Sequence, residues 1–249
     1  RLDWKRSFGD HNLTAMAMYM MREYRSDVLP NRNQGYSGRV TYDYASKYLV
    51  EFNFGYNGSE RLAAGQRFEF FPAVSAGWVA SSEKFWEPIS KYINHFKIRG
   101  SYGLVGSDAF ASGAPHFLYQ NNIGIGSAHK FWTGLPTSEI SKQGPGFYVL
   151  AVQDAGWEHV KKFDIGFDMM LFNQLNITFD YFHDKRERIL MSRASWPSML
   201  GYWGSKPWSN IGEVENQGFE LSLNWTKQFG KDLTLDLRGN FTYNQNEYK

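Results

Sequence analysis

Apolar and polar residues alternate one for one along most of the chain. In QGFELSLNW, Phe219, Leu221, Leu223 and Trp225 share one face, while Glu220, Ser222 and Asn224 share the other. In LTLDLRGNFTY, Leu233, Leu235, Leu237, Phe241 and Tyr243 alternate with Thr234, Asp236, Arg238, Asn240 and Thr242. KFDIGFDMML and LNITFDY repeat the pattern, setting Phe163, Ile165, Phe167, Ile177, Phe179 and Tyr181 against Asp164, Asp168, Thr178 and Asp180. Earlier, Tyr48, Val50, Phe52, Phe54 and Tyr56 oppose Glu51, Asn53 and Gly55. Period-two alternation on this scale predicts antiparallel strands with one greasy and one polar face. The pattern predicts about ten strands, at 1–8, 12–23, 35–44, 48–57, 72–81, 93–105, 159–171, 175–188, 214–226 and 233–246. Many exceed the five or six residues typical of soluble strands and reach the roughly nine to eleven that a tilted strand needs to cross an outer membrane.

The predicted connections alternate in length. GDH, ASK, FNQ and QFGKD are short; 24–34, 58–71, 106–158 and 189–213 are long. The segment 82–92, SEKFWEPISKY, falls at a short position and reads as a small helical turn. Short turns at one end and long loops at the other are the pattern of outer-membrane barrels, whereas a Greek-key sandwich has no reason to sort its loops. Hairpin register supports the strands, because like faces must meet across a pair. Pairing Tyr44 with Tyr48 sets Val40 opposite Phe52 and Arg39 opposite Asn53. Pairing Leu171 with Leu175 sets Phe167 opposite Phe179. Centring the last hairpin on Phe229 predicts a Glu220–Arg238 cross-strand contact.

Two environments fit the apolar face: a second protein layer, as in a soluble sandwich, or lipid, as in a barrel wall. Alternation by itself leaves both open. Loop asymmetry, the near absence of charge on that face and Tyr or Trp near strand ends (Tyr36, Tyr44, Tyr48, Tyr56, Trp78, Trp225, Tyr243) favour the wall. Composition narrows the remaining classes. Aromatic residues make up 18% and glycines number 24, which suits β-structure. Lys+Arg (27) nearly balances Asp+Glu (25), so bulk capture of nucleic acid is not expected. Mean hydropathy is −0.51, and no apolar run is long enough for a transmembrane helix. The absence of Cys excludes a disulfide framework, a thiolate metal site and a Cys nucleophile.

Catalytic chemistry is not legible. The His residues at 11, 95, 116, 129, 159 and 183 show no metal-ligand spacing on a helix. GxSxG and Walker A patterns are absent. Asp164, Asp168, Asp180 and Asp184 could form a carboxylate pair for glycoside hydrolysis, but with Lys161, Lys162, Lys185 and Arg186 nearby they read as a charge-balanced polar wall. No enzyme, metal site or cofactor is therefore expected. The candidate recognition feature is aromatic clustering in long loops: Trp196, Tyr202, Trp203 and Trp208 in SWPSMLGYWGSKPW, and Trp132 in KFW. Flat rings can stack on sugar faces; they can equally pack loops or meet a partner protein.

Four blocks resemble the SusC/RagA family of TonB-dependent outer-membrane transporters. The first is GRVTYDYASKYLVEFNFGYNGSERLAAGQRFEFFPAVSAGWVASSEKF, from Gly38 to Phe85. The others are FKIRGSYGLVGSD (Phe96–Asp108), NIGEVENQGFELSLNW (Asn210–Trp225) and FGDHNLTAMAMYM (Phe8–Met20). Residues 109–158 and 189–208 match least. The resemblance implies an all-β, antiparallel transmembrane β-barrel, of which these strands are about ten of twenty-two around a plugged lumen. It implies that 1–249 is an internal part of one such barrel domain, without the plug domain and the first and last strands. It further implies TonB-dependent import of oligosaccharides, or alternatively peptides, across the outer membrane of a Bacteroidota-type Gram-negative bacterium. Its implied partners are outer-membrane lipid, a SusD-like surface lipoprotein as lid, and the TonB complex acting through the plug. It also admits a dimer of transporter–lipoprotein pairs. A soluble carbohydrate-binding β-sandwich and a passive porin are the competing classes.

Overall fold

A computed structural model describes residues 1–25, 30–110, 114–133, 140–193, 197, 199 and 207–249. The strands are β1 (Leu2–Phe8), β2 (His11–Arg25), β3 (Pro30–Tyr44), β4 (Tyr48–Ser59), β5 (Phe68–Val79), β6 (Ile93–Ser107), β7 (Asn122–Thr133), β8 (Ile140–Val149), β9 (Glu158–Leu171), β10 (Leu175–Ser192), β11 (Trp208–Phe229) and β12 (Leu233–Tyr248). Two 3₁₀ turns, Ala80–Ser82 and Lys84–Trp86, lie between β5 and β6. Ten strands form one antiparallel meander, ordered β1-β2-β3-β4-β5-β6-β9-β10-β11-β12; β7 and β8 pair separately as a hairpin.

All ten strands expected from alternation are present, most of them longer than expected at the long-connection end. β7 and β8 lie within 106–158, where only a loop was expected. Their residues are Gly-rich and interrupted (NIGIGSAHKFWT and ISKQGPGFYV), and their ladder carries repeated register shifts, so no clean period-two signal survives.

The registers set by the ASK and FNQ turns hold: Val40 pairs with Phe52, Arg39 with Asn53, and Phe167 with Phe179. The last hairpin corrects the expectation. It pairs Phe229 with Leu233, so Glu220 faces Thr242 and Arg238 faces Asn224. Glu220 and Arg238 therefore share a face without meeting. The turn is centred two residues later because Gly230, at φ +66, supplies the left-handed conformation that bends the chain there.

Two tight turns place residues other than glycine in that same conformation: Ala45 and Ser46 (φ 51 and 55), and Phe172 and Asn173 (φ 53 and 54). Both close with a hydrogen bond from residue i+3 to residue i, Lys47 N to Tyr44 O at 2.9 Å and Gln174 N to Leu171 O at 2.9 Å. Positive φ at both central residues twists a two-strand connection correctly but costs roughly 1–2 kcal/mol per L-residue. Neighbouring turns offset that cost. Ala45 N donates to Asp10 O at 2.7 Å, Val79 N to Lys47 O at 2.7 Å, Phe172 N to Tyr92 O at 2.9 Å and Thr226 N to Gln174 O at 2.9 Å.

No second sheet covers the apolar face among the described residues. Val50 (45% exposed), Val74 (47%), Ile165 (46%) and Phe241 (55%) lie open on four different strands. Aromatic rings pack laterally along that face, Phe96 to Phe167 to Phe179 to Phe219 to Phe241, at centroid separations of 5.6 to 6.1 Å. Apart from Ala80 in the β5–β6 connection, the buried apolar residues gather towards the long-connection end. Leu62, Phe71 and Trp157 form one cluster; Leu118, Ala155 and Leu190 form another. The fold is thus a wall segment of an antiparallel transmembrane β-barrel, not a two-layer sandwich.

Two outcomes follow, both read on the full-length protein by heat-modifiable electrophoretic migration. Val74→Arg puts a guanidinium on the apolar face at a cost of about 2–4 kcal/mol near a bilayer midplane and depletes the folded band, while Ser75→Arg on the polar face is tolerated. Ala45→Gly releases roughly 1 kcal/mol of backbone strain and raises the unfolding temperature.

Candidate functional site

The polar face is built by register. Arg99 on β6 pairs with Gly166 on β9, Gly166 with Asp180 on β10, and Asp180 with Glu220 on β11. Along this row the Arg99 guanidinium crosses a whole strand to reach Asp180 at 2.7 Å. It also meets Asp168 at 3.3 Å and Asp164 at 3.5 Å. Gly166 makes the crossing possible, since a Cβ there would collide with the Asp180 carboxylate and the Phe179 carbonyl. Thr178 Oγ1 donates to the remaining side of Asp168 at 3.2 Å. The four charged side chains are each about one-fifth to one-third exposed, so the cluster is wet but not solvent-screened like a free surface pair.

The expectation of a charge-balanced wall holds in kind and changes in detail. Asp184 meets Lys162 at 3.4 Å. Lys161 and Lys185 instead converge on Glu187 at 2.6 and 2.7 Å. The cation that serves Asp164, Asp168 and Asp180 is Arg99. Spacing could not bring it forward, because β6 and β9 are separated in sequence by the whole 108–157 insertion. With all three carboxylates on one guanidinium, none stands free as a general acid opposite a second as nucleophile.

At the long-connection end, loops pack into a platform. Arg61, in the segment that links β4 to β5, donates from Nη1 to Asp108 O at 3.1 Å and lies over the Phe110 ring at 4.1 Å. Burial pulls its pKa below the ordinary guanidinium value, partly countered by Asp108. Asn33 donates to the Asp108 carboxylate at 2.6 Å, which ties β3 to the same point. Trp157 Nε1 donates to Arg67 O at 3.0 Å above Leu62 and Phe71. Asn210 clamps the other side, with Nδ2 donating to Gly156 O and Arg188 O and Oδ1 accepting from Gly156 N, at 2.7 to 3.1 Å. Arg61, Trp157 and Asn210 were not singled out individually in the sequence; Arg61 and Asn210 lie within blocks that carry the family resemblance, whereas Trp157 lies in the poorly matching 109–158 and had no such signal.

The five aromatic candidates separate. Trp132 lies on β7, near the far end of the projecting hairpin, and is 62% exposed. Trp208 opens β11 and, partly buried, packs against the Leu118–Ala155–Leu190 cluster. Trp196, Tyr202 and Trp203 fall outside the described residues. On either side of them, Arg193 N donates to Pro207 O at 2.9 Å.

Residues 2–249 match the family model described as "TonB dependent receptor-like, beta-barrel". The chain belongs to the TonB-dependent receptor β-barrel family. Among curated relatives, TonB-dependent receptor P3 of Formosa agariphila is 31% identical over 211 residues, covering 84% of this chain and 20% of that protein. TonB-dependent receptor SusC of Bacteroides thetaiotaomicron is 26% identical over 239 residues, covering 91% of this chain and 22% of its own length. The chain thus spans about one-fifth of the length of these TonB-dependent receptors. Among solved structures, the RagAB peptide importer in its open-open state superposes with TM-score 0.79 and 19% identity, over 99% of this chain and 29% of that one. The siderophore receptor PirA from Pseudomonas aeruginosa gives 0.57 and 13%, over 99% and 42%. Both structural likenesses show a shared barrel-wall architecture.

Removing Arg99 tests the polar cluster. Arg99→Ala leaves Asp164, Asp168 and Asp180 without their shared cation and should cost about 2 kcal/mol, less than the 3–5 of a fully buried pair because water reaches the site. Arg99→Lys, with charge but no fork, falls between, and Gly166→Leu approaches the alanine variant by blocking the crossing. The readout is the unfolding temperature of the full-length receptor in detergent.

Proposed function

We propose that the chain is wall and loop platform of a TonB-dependent importer in the outer membrane of a Bacteroidota-type bacterium, and that its cargo is an oligosaccharide. The observation that carries the transport reading is the two-faced wall. Its apolar side carries no second sheet, its polar side holds the partly exposed Arg99 charge cluster, and its long connections gather at one end. Such a wall suits hydrocarbon on one side and a hydrated, plugged lumen on the other. Short turns then face the periplasm and the loop platform faces outside the cell.

The platform is where a SusD-like surface lipoprotein would close over the mouth, and a dimer of such pairs is compatible with a wall of this kind. Energy would reach the cargo through a plug coupled to the TonB complex. The sugar reading rests on Trp132, a flat ring presented to solvent at the end of a hairpin that the wall itself does not need. A ring in that position stacks on a pyranose face with little reorganisation.

The test uses the full-length gene in its native host. Deletion should abolish growth on an oligosaccharide that the strain otherwise imports. Complementation with Trp132→Ala should weaken cargo binding by the purified transporter–lipoprotein pair about tenfold, the 1.4 kcal/mol expected of one lost stacking contact. Loss of peptide uptake with intact growth on every oligosaccharide would overturn the substrate class and leave the importer reading standing.

A further inference from the structure

The connection between β5 and β6 is out of proportion to its neighbours. The other four at the same end take two or three residues each, while 80–92 takes thirteen. Those thirteen do not extend away from the wall. Trp86 stacks flat on Phe96 at 5.2 Å and 8°, and Phe85 packs against Trp78 at 6.2 Å. Phe96 and Trp78 occupy the outward register of β6 and β5, the register of Ile98, Tyr102 and Val74. The segment therefore folds back over the apolar face and not into the lumen.

It is also held firmly. Trp86 Nε1 donates to Ile93 O at 3.0 Å. Glu83 accepts from the Tyr48 hydroxyl at 2.8 Å and from Lys47 at 3.2 Å. The Tyr48 hydrogen bond first, and Lys47 after it, hold the Glu83 carboxyl below the usual carboxylate range. Tyr92 meets Phe172, from the adjacent turn, edge to face at 6.1 Å.

What this ordered segment presents outward is apolar. Phe85 is 62% exposed, Ile89 41%, Tyr92 56% and Phe172 58%. Lys84, Glu87 and Lys91 interleave with them. Glu83 is taken by Lys47 and Tyr48, and Lys84 and Lys91 form no ion pair among the described residues. A rigid apolar surface with free ammonium groups at its margin, continuous with a lipid-facing wall, has the character of an interfacial element. Indole and phenol rings favour the head-group zone, where an apolar body and a polar edge are both satisfied.

We propose that residues 80–92 are an in-plane membrane anchor. Phe85, Ile89 and Tyr92, with Phe172 beside them, sink into the glycerophospholipid interface of the periplasmic leaflet, and Lys84 and Lys91 meet the lipid phosphates. This rests on the outer-membrane reading above and adds to it a specific contact at one point of the barrel rim. The occupant is lipid because the segment continues the outward face of β5 and β6 without a break; a periplasmic protein would have to share that face with the bilayer.

The test is depth measurement on the full-length transporter in phosphatidylethanolamine–phosphatidylglycerol vesicles. The chain contains no Cys, so nitroxide probes can be placed singly once any cysteines elsewhere in the full-length protein are changed to Ser. Probes go at Ile89→Cys, at Asp232→Cys in a three-residue turn, and at Val50→Cys on the wall. Relaxation by oxygen, which concentrates in lipid, is compared with relaxation by a water-soluble nickel chelate. The Ile89 probe should favour oxygen several-fold over the Asp232 probe, and Lys84→Glu with Lys91→Glu should shift it toward nickel. If Val50 is lipid-exposed while Ile89 is as nickel-accessible as Asp232, the anchor is wrong and the membrane reading survives. If Val50 is itself nickel-accessible, the membrane reading fails. Shielding of Ile89 from both reagents would mean a protein cover and would also overturn the anchor.

Discussion

A sheet that leaves Val50, Val74, Ile165 and Phe241 open on one side is stable only where water is kept from that side. Lateral packing between neighbouring rings removes part of each ring from solvent, and among the described residues no second sheet removes the rest. Hydrocarbon supplies the missing contact. It also imposes the strictest rule on the backbone, because an unpaired N–H or C=O in lipid costs several kcal/mol. The continuous meander, with each strand paired to the next in sequence apart from the β7–β8 insertion, is the arrangement that meets this rule with the fewest irregularities.

The opposite face obeys a different economy. Charges there need partners but not dryness, and Arg99 serves three carboxylates from three places on two strands. Its reach depends on an empty position, Gly166, directly in its path. The polar cluster and the glycine are thus one device: a cation on β6 that fastens β9 and β10 beneath it, where water competes but does not dominate. The platform at the long-connection end works similarly, with Arg61, Asn33 and Asp108 joining segments distant in sequence.

Much of this was legible from residue order. Alternation in QGFELSLNW, KFDIGFDMML and LNITFDY marks strands because a half-exposed sheet leaves no other periodicity, and the ASK and FNQ turns fix register because faces must match. The last hairpin slipped by two residues because alternation tolerates any even shift; only the left-handed φ of Gly230 distinguishes the alternatives. β7 and β8 escaped notice because glycines and Pro145 dilute the pattern. Trp208, a candidate recognition ring, is partly buried against Leu118 and Leu190, and ring chemistry alone did not foretell that contact. Arg99 was invisible as a partner for Asp180 because their meeting depends on a strand pairing made across a long insertion.

That insertion has a wider consequence. The β7–β8 hairpin leaves the wall after β6 and returns at β9, and those two strands pair directly with each other. Changes confined to the β7–β8 hairpin, outside the Leu118, Ala155 and Trp157 contacts, leave the ladder beneath unchanged. The hairpin can therefore be rewritten in length and sequence while the staves on either side keep their pairing.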